Sequence, residues 1–288
     1  MKKYFLAVLI ILTAIIVGYS GYLRYKKPLV SVVMLTYKRA DIAPKAIDSI
    51  LAQTFKDFEF IILNDGSPDN TDEMIKKYTD SRIRYYKNDK NRGIAYSRNR
   101  AASLARGKYV MIMDDDDESL PERMQKEVEF LENHPEITAV AGQIKGLPRI
   151  PKTHDEIATG LIQYNNFGNS NVMYRREFAE KNNIKYDTAL RASEDWDYWL
   201  KMLFAGAKFA ALEDDLHIRH GDSVKHYGIS YEDANAPIRE SVARFFSPKN
   251  PQKFYEAGAC EKLQMINKAP LKIFTENYLQ QLIKANCF

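Results

Sequence analysis

The sequence predicts an α/β protein built on a mostly parallel sheet flanked by helices. Three observations carry the prediction. From Pro28 onward, short apolar and β-branched runs alternate with segments of helical spacing, and strands separated by helices imply parallel pairing. Polar clusters at Thr36, Asp65 and Asp114 each follow one of these runs. The carboxyl ends of parallel strands are where such sheets bind ligands.

Before the sheet, Tyr4 to Leu23 runs for 20 residues without a charge. As a helix it would span about 30 Å, the thickness of a bilayer hydrocarbon core. The reading is a transmembrane helix, with residues 1–27 as a single-pass anchor and juxtamembrane basic segment. A cleaved signal peptide is the rival, because Met1-Lys2-Lys3 makes a basic start and Gly18-Tyr19-Ser20 a small-x-small site. Length and the lack of a polar region before that site favour the anchor. Arg24, Lys26 and Lys27 after the span, against Lys2 and Lys3 before it, favour a cytoplasmic catalytic domain. The absence of any Asn-x-Ser/Thr acceptor agrees.

The elements follow in order. Leu29 to Leu35 is a β-branched apolar run, Ala43 to Gln53 has helical spacing, and Phe58 to Leu63 is a second buried strand ending at Asn64-Asp65-Gly66-Ser67. Ile83 to Tyr86 is a third strand, followed by a helix over Ile94 to Ala105. Tyr109 to Met113 runs into Asp114-Asp115-Asp116-Asp117, and a helix starts near Pro121, a favoured first helical residue. Beyond Pro237 the pattern is helical, with Leu271, Phe274, Tyr278 and Leu282 on one apolar stripe. The division is thus anchor, a domain over 28–235 and a helical C-terminal extension over 236–288.

Composition narrows the function. A formal charge of +4 over 288 residues is too small to indicate a nucleic-acid partner. Only Cys260 and Cys287 occur, with no metal-ligand spacing, so no disulfide framework or zinc site is implied and a reducing compartment fits. Four consecutive aspartates directly after a buried strand are the least ordinary feature. Carboxylates held that close repel one another unless a cation neutralises them. Hard oxygen ligands suit magnesium or manganese, whose shell is completed by substrate phosphates and water.

Five segments then appear in order: Ser31-Val32-Val33-Met34-Leu35-Thr36-Tyr37-Lys38-Arg39; Asn64 through Thr71; Asn91-Arg92-Gly93 with Ser97-Arg98-Asn99; Gly107-Lys108-Tyr109 leading to Asp114 through Asp117; and Ser193-Glu194-Asp195-Trp196. Together, over about residues 29 to 225, they resemble the family 2 glycosyltransferases. The resemblance implies a GT-A (Rossmann-like) fold, a nucleotide-sugar donor with UDP the commonest nucleotide, a glycan or glycolipid acceptor, and an inverting transfer assisted by Mn2+ or Mg2+.

Carried over by position, the resemblance assigns Thr36, Tyr37 and Arg39 to the base and ribose, Asp65 to the base and Asp115 to the ribose. An Asx turn with Gly66 is a competing role for Asp65, compatible with the first. Arg98 falls at a donor-site arginine, with an exposed helical arginine as its alternative. Asp114 and Asp116 form the Asp-x-Asp metal pair, Asp116 the direct ligand, while Asp117 and Glu118 read as solvated. Asp195 matches the catalytic base and Glu194 an acceptor-binding acid, although acids at a helix start also complement its dipole. Trp196 is placed to stack on a sugar, and His220 is a candidate for the metal or diphosphate. Lys38, Leu35 and Asn64 depart from the family pattern, where asparagine, proline or threonine, and aspartate are common. A sugar nucleotidyltransferase would show a Gly-rich loop after the first strand, which Leu35 to Arg39 lacks. Retention of Asp116, Glu194 and Asp195 argues against a catalytically silent scaffold.

Overall fold

A computed structural model describes residues 27–220, 231–269 and 273–287. Strand β1 (Val30–Thr36) pairs in parallel with β2 (Phe58–Asn64) on one side and β4 (Tyr109–Met113) on the other, and β3 (Ile83–Lys87) continues beyond β2. Helices α1 (Ala43–Leu51), α2 (Thr71–Ile75), α3 (Ile94–Ser103) and α4 (Arg123–Asn133) intervene. The expected helices over Ala43 to Gln53 and Ile94 to Ala105 each end two residues early, and the one expected near Pro121 begins at Arg123.

Successive side chains of a strand serve opposite faces. Val32, Met34, Ile62 and Met111 pack with Ile47 and Ile50 of α1 and with Met124 and Leu131 of α4. Val33, Ile61, Val110 and Ile112 enter a second core with Ala95 and Ala101 of α3. Both faces are covered, which is why these strands read as unbroken apolar runs. The register aligns their ends: Thr36 lies opposite Asn64, and Met34 opposite Met113. Thr36, Asp65 and Asp114 therefore share one edge.

The second half of the sheet adds antiparallel pairs to the expected mostly parallel topology. It comprises β5 (Glu118–Ser119), β6 (Ala139–Ile144), β7 (Val172–Arg175) and β8 (Phe209–Ile218), with helices α5 (His154–Gln163), α6 (Arg176–Lys181) and α7 (Glu194–Phe204). The strand order is β3-β2-β1-β4-β7-β6-β8-β5. β7 enters between β4 and β6 and runs against both, and β5 runs against β8, although β6 and β8 still pair in parallel. The sheet is mixed, because alternation of strands and helices fixes element type but not strand direction.

Helices α8 (Tyr231–Phe246), α9 (Pro251–Glu256), α10 (Ala259–Asn267) and α11 (Glu276–Cys287) form the C-terminal part. They dock on α5 and α7. Phe245 stacks on Phe204 with centroids 3.9 Å apart. His154 Nε2 lies 2.8 Å from the Ile273 carbonyl, and Thr275 donates from N and Oγ1 to the two carboxylate oxygens of Asp155 at 2.9 and 2.5 Å. Phe274 and Tyr278 pack together as the stripe required, while Leu271 lies outside the described residues.

Two further expectations are corrected. Cys260 and Cys287 form a disulfide joining α10 to α11, their Cα atoms 5.0 Å apart. A helical hairpin brings them together, which a separation of 27 residues does not reveal, and the argument for a reducing compartment loses its basis. The expected transmembrane helix over Tyr4 to Leu23 lies outside the described residues, and among those described no helix is long and apolar enough to cross a membrane. Over the described residues the fold class is therefore an α/β mixed sheet with a helical C-terminal part.

Candidate active site

The loops after β1 and β2 are stitched together at the shared edge. Lys38, with φ 56°, donates its backbone N–H to Ser67 Oγ at 3.0 Å. The Asx turn belongs to Asn64, whose Oδ1 accepts from Ser67 N at 2.8 Å while its Nδ2 donates to the Tyr85 hydroxyl at 3.0 Å. Asparagine supplies both an acceptor and a donor there, which accounts for its replacing an aspartate. Asp65 instead ties down the loop after β3, accepting from Asn88 Nδ2 at 2.6 Å and from the N–H groups of Arg92 and Gly93, both at 2.9 Å. A Cβ at Gly66 would lie 2.4 Å from the Lys90 carbonyl carbon, and its φ of +70° also requires glycine.

The acidic run divides into different environments. Asp114 Oδ1 has only long partners, Arg98 Nη2 at 3.3 Å and Asn169 Nδ2 at 3.4 Å. Burial raises its carboxyl to about 6, aided by Asp117 and Asp116 and opposed by Arg98. Burial likewise raises Asp115 to about 7, and its Oδ2 is buried without a hydrogen-bond partner. Asp116 faces Arg39 at 3.5 Å.

Asp117, expected to be solvated, is 4% exposed and accepts from Ser170 Oγ at 2.5 Å, His217 Nε2 at 2.9 Å and the His220 N–H at 3.1 Å. Burial alone would raise its carboxyl, but the bonds from His217 and Ser170 outweigh it and hold it below the usual range. His217 Nδ1 faces Arg123 Nη1 at 3.3 Å. A guanidinium only donates, so the ring is neutral with its hydrogen on Nε2. Burial pushes the His217 pKa down in accord. The His220 ring is not gathered with Asp114 and Asp116: it pairs with Glu118 and lies 3.4 Å from Lys45 Nζ.

Helix α7 brings the last two acids. Arg98, 7% exposed, donates from Nη1 to Glu194 Oε1 at 2.5 Å and stands over the Tyr186 ring. It is thus held between two carboxylates rather than exposed on its helix. Glu194 is 4% exposed, whereas Asp195 is partly exposed. Asp195 Oδ2 accepts from Asn165 Nδ2 at 3.0 Å and Oδ1 from the Trp196 N–H at 2.8 Å. Burial, with Glu194 beside it, raises Asp195 to about 6. Trp196 is 2% exposed and its Nε1 donates to the Leu161 carbonyl at 2.7 Å, so the expected sugar stacking by this ring is corrected: both tryptophans are core.

The family model described as Glycosyl transferase family 2 matches residues 31–198, more than half of the chain. The chain belongs to glycosyltransferase family 2. An uncharacterized glycosyltransferase of Methanocaldococcus jannaschii is 35% identical over 205 residues, which cover 66% of this chain and 70% of that protein. Among solved structures, S. aureus TarS in complex with UDP-GlcNAc has a TM-score of 0.62 at 19% identity, over 91% of this chain and 72% of that one. A mannosyltransferase from Pyrobaculum calidifontis, in complex with GDP-Man and Mn2+, has a TM-score of 0.59 at 18% identity, over 91% and 74%. The fold is the GT-A fold, with a mixed sheet. The protein is a glycosyltransferase that uses a nucleotide-sugar donor.

In this glycosyltransferase the acidic run fits a divalent cation. Asp114 and Asp116 have long contacts only, and the buried Asp115 Oδ2 has none. Among the described residues no group of three or more His, Cys, Asp or Glu side chains is placed to hold a metal ion. Two carboxylates completed by donor phosphates and water are what magnesium or manganese takes.

Proposed function

We propose that this glycosyltransferase transfers a sugar from a UDP-sugar to a hydroxyl of a glycan or glycolipid, with inversion, by direct displacement. The observation that carries the reading is the difference between two adjacent acids. Glu194 is closed into an ion pair with Arg98, while Asp195 is partly exposed and has a raised pKa. A carboxyl at about 6 is ionised at neutral pH yet basic enough to take a proton in the transition state.

Asp195 removes the proton of the acceptor hydroxyl as its oxygen bonds to the anomeric carbon. The bond from that carbon to the diphosphate breaks, and its electron pair leaves on the nucleotide diphosphate. Asn165 fixes the Asp195 carboxylate and leaves each of its oxygens a free lone pair. Thr36, Tyr37, Arg39, Asp65 and Asp115 line the donor's nucleoside side. Asp114 and Asp116 would hold a manganese or magnesium ion, whose charge supplies neutralisation of the diphosphate; the Mn2+ bound by the Pyrobaculum mannosyltransferase supports this. Arg98 keeps Asp114 and Glu194 in fixed relation and so joins the donor and acceptor sides.

The test is to incubate the purified protein with a panel of UDP- and GDP-sugars and follow slow donor hydrolysis, which names the donor before an acceptor is known. Transfer is then measured and the anomeric configuration of the product read by NMR. Retention of configuration would overturn the displacement mechanism.

A further inference from the structure

Ser193, immediately before the two acids, is the N-cap of α7 and has φ 59° and ψ 22°. The left-handed conformation is disfavoured for any residue with a Cβ and persists only where the surroundings impose it. A serine at an N-cap ordinarily turns its hydroxyl onto the first N–H groups of its own helix. Ser193 makes no such bond. Its Oγ donates instead to Oδ1 of Asn235, at 2.6 Å, across 42 residues of chain.

Asn235 belongs to α8, the first described helix of the C-terminal part, and is 2% exposed. Its Nδ2 is buried without a hydrogen-bond partner. Burying an amide with one unpaired end is costly, so an apolar side chain would serve packing better. The feature that distinguishes asparagine at this place is its bond to Ser193. The Ser193 carbonyl already accepts from Asp197 N at 3.1 Å. The torsions at Ser193 therefore set the direction in which the first turn of α7 leaves the loop, and Glu194 and Asp195 are in that turn.

We infer that Asn235 is a positioning residue for the transfer reaction: by holding Ser193 in the left-handed conformation, the C-terminal helices aim the Asp195 carboxylate. The inference rests on the reading of Asp195 as the base. The helical extension is then part of the catalytic apparatus, and its contribution passes through one side-chain bond.

Glycine adopts the left-handed conformation without strain, so it separates aiming from mere packing. Ser193→Ala keeps the Cβ and loses the hydroxyl. It lowers kcat about tenfold or more, with the donor KM within about twofold, because a small misplacement of the base suffices. Asn235→Ala behaves likewise. Ser193→Gly restores kcat, and Ser193→Gly with Asn235→Ala recovers the activity that Asn235→Ala alone loses. If Asn235→Ala fails to fold, as judged by circular dichroism and melting, the contrast of alanine and glycine at position 193 carries the test. Wild-type kcat in Ser193→Ala overturns the inference. So does a Ser193→Gly variant as impaired as Ser193→Ala, or a double variant no better than Asn235→Ala. Asp195→Asn is assayed alongside. If it transfers normally, the assignment of the base has failed; if it is inactive while Ser193→Ala is normal, only the positioning role has failed.

Discussion

Arg98 and Glu194 form a buried ion pair, Nη1 to Oε1 at 2.5 Å, with both side chains less than a tenth exposed. Through Nη2 the same guanidinium reaches Asp114 at 3.3 Å. The helix after β3, the acidic run after β4 and the start of α7 are thereby tied at one charge.

This pairing separates two substitutions that look alike in sequence. Glu194→Gln leaves the buried Arg98 with Asp114, at 3.3 Å, as its one remaining carboxylate, and breaking such a pair costs about 3–5 kcal/mol. Asp195→Asn removes a partly exposed carboxylate whose hydrogen-bond partners are the neutral Asn165 amide and the Trp196 N–H. The expected outcome is a large fall in melting temperature for Glu194→Gln and none for Asp195→Asn. In transfer assays Asp195→Asn should lose about 10²–10⁴ in kcat with donor affinity little changed. Normal turnover by Asp195→Asn would move the base to another residue.

Asp195 also sets a pH dependence. Its carboxyl is raised to about 6 by burial and by Glu194, so the base is lost as pH falls through about 6. The value of kcat/KM should drop about tenfold per unit or more below that point, and Asp195→Asn should make the limb shallower, leaving the part set by Asp114, whose carboxyl is also raised to about 6. Stability moves the other way. A carboxyl whose folded pKa lies above its unfolded value is unfavourable when ionised, and this burden is present above about 6 and gone below about 4. Asp195→Asn should therefore melt higher than wild type at pH 8, with the difference vanishing at pH 4. A wild-type profile flat from pH 5 to 8 would remove Asp195 from the role.

The parts of the site that could be read in sequence are those set by single strands. Thr36, Asp65 and Asp114 each end a buried run, and parallel register brings them to one edge. What could not be read comes from elsewhere in the chain. Asn165 and Asn169 lie in a polar loop between α5 and β7, and only the antiparallel insertion of β7 carries that loop to Asp195 and Asp114. The Asn-rich stretch Asn165 to Asn171 was the available signal, and without topology it had no target. Asp117 reads as solvated in sequence because its partners, Ser170 and His217, are contributed by distant segments. Trp196 and Trp199 are three apart in sequence, which does not tell that both rings turn inward, one bonding the Leu161 carbonyl of α5 and the other the Gly168 carbonyl.

The metal reading is tested at Asp116, which faces Arg39 at 3.5 Å, both groups about one-fifth exposed. So loose a contact contributes little to the fold. Asp116→Ala should melt within a degree or two of wild type yet show no donor turnover. A chelator should abolish activity in the wild type, with manganese or magnesium restoring it. Full activity in chelator would exclude the ion from the reaction.

Lys38 offers a test confined to the nucleotide-side loop. It holds φ 56°, a conformation that costs a lysine about 1–2 kcal/mol and that asparagine tolerates because its short amide bonds locally. The asparagine that the family resemblance leads one to expect at this position suits this backbone. The Lys38 N–H to Ser67 Oγ, 3.0 Å, is a main-chain bond and survives substitution. What Lys38→Asn gives up is the cation over the Tyr37 ring at 5.2 Å, worth about 0.5–1 kcal/mol at an exposed site. Relief of strain should exceed that loss, raising the melting temperature by about 1–4 °C. Lys38→Val, β-branched and ill suited to positive φ, should lower it by more. Thermal melts without donor decide the matter. If Lys38→Asn melts below wild type, the contact with Tyr37 outweighs the strain and the lysine is retained for the ring.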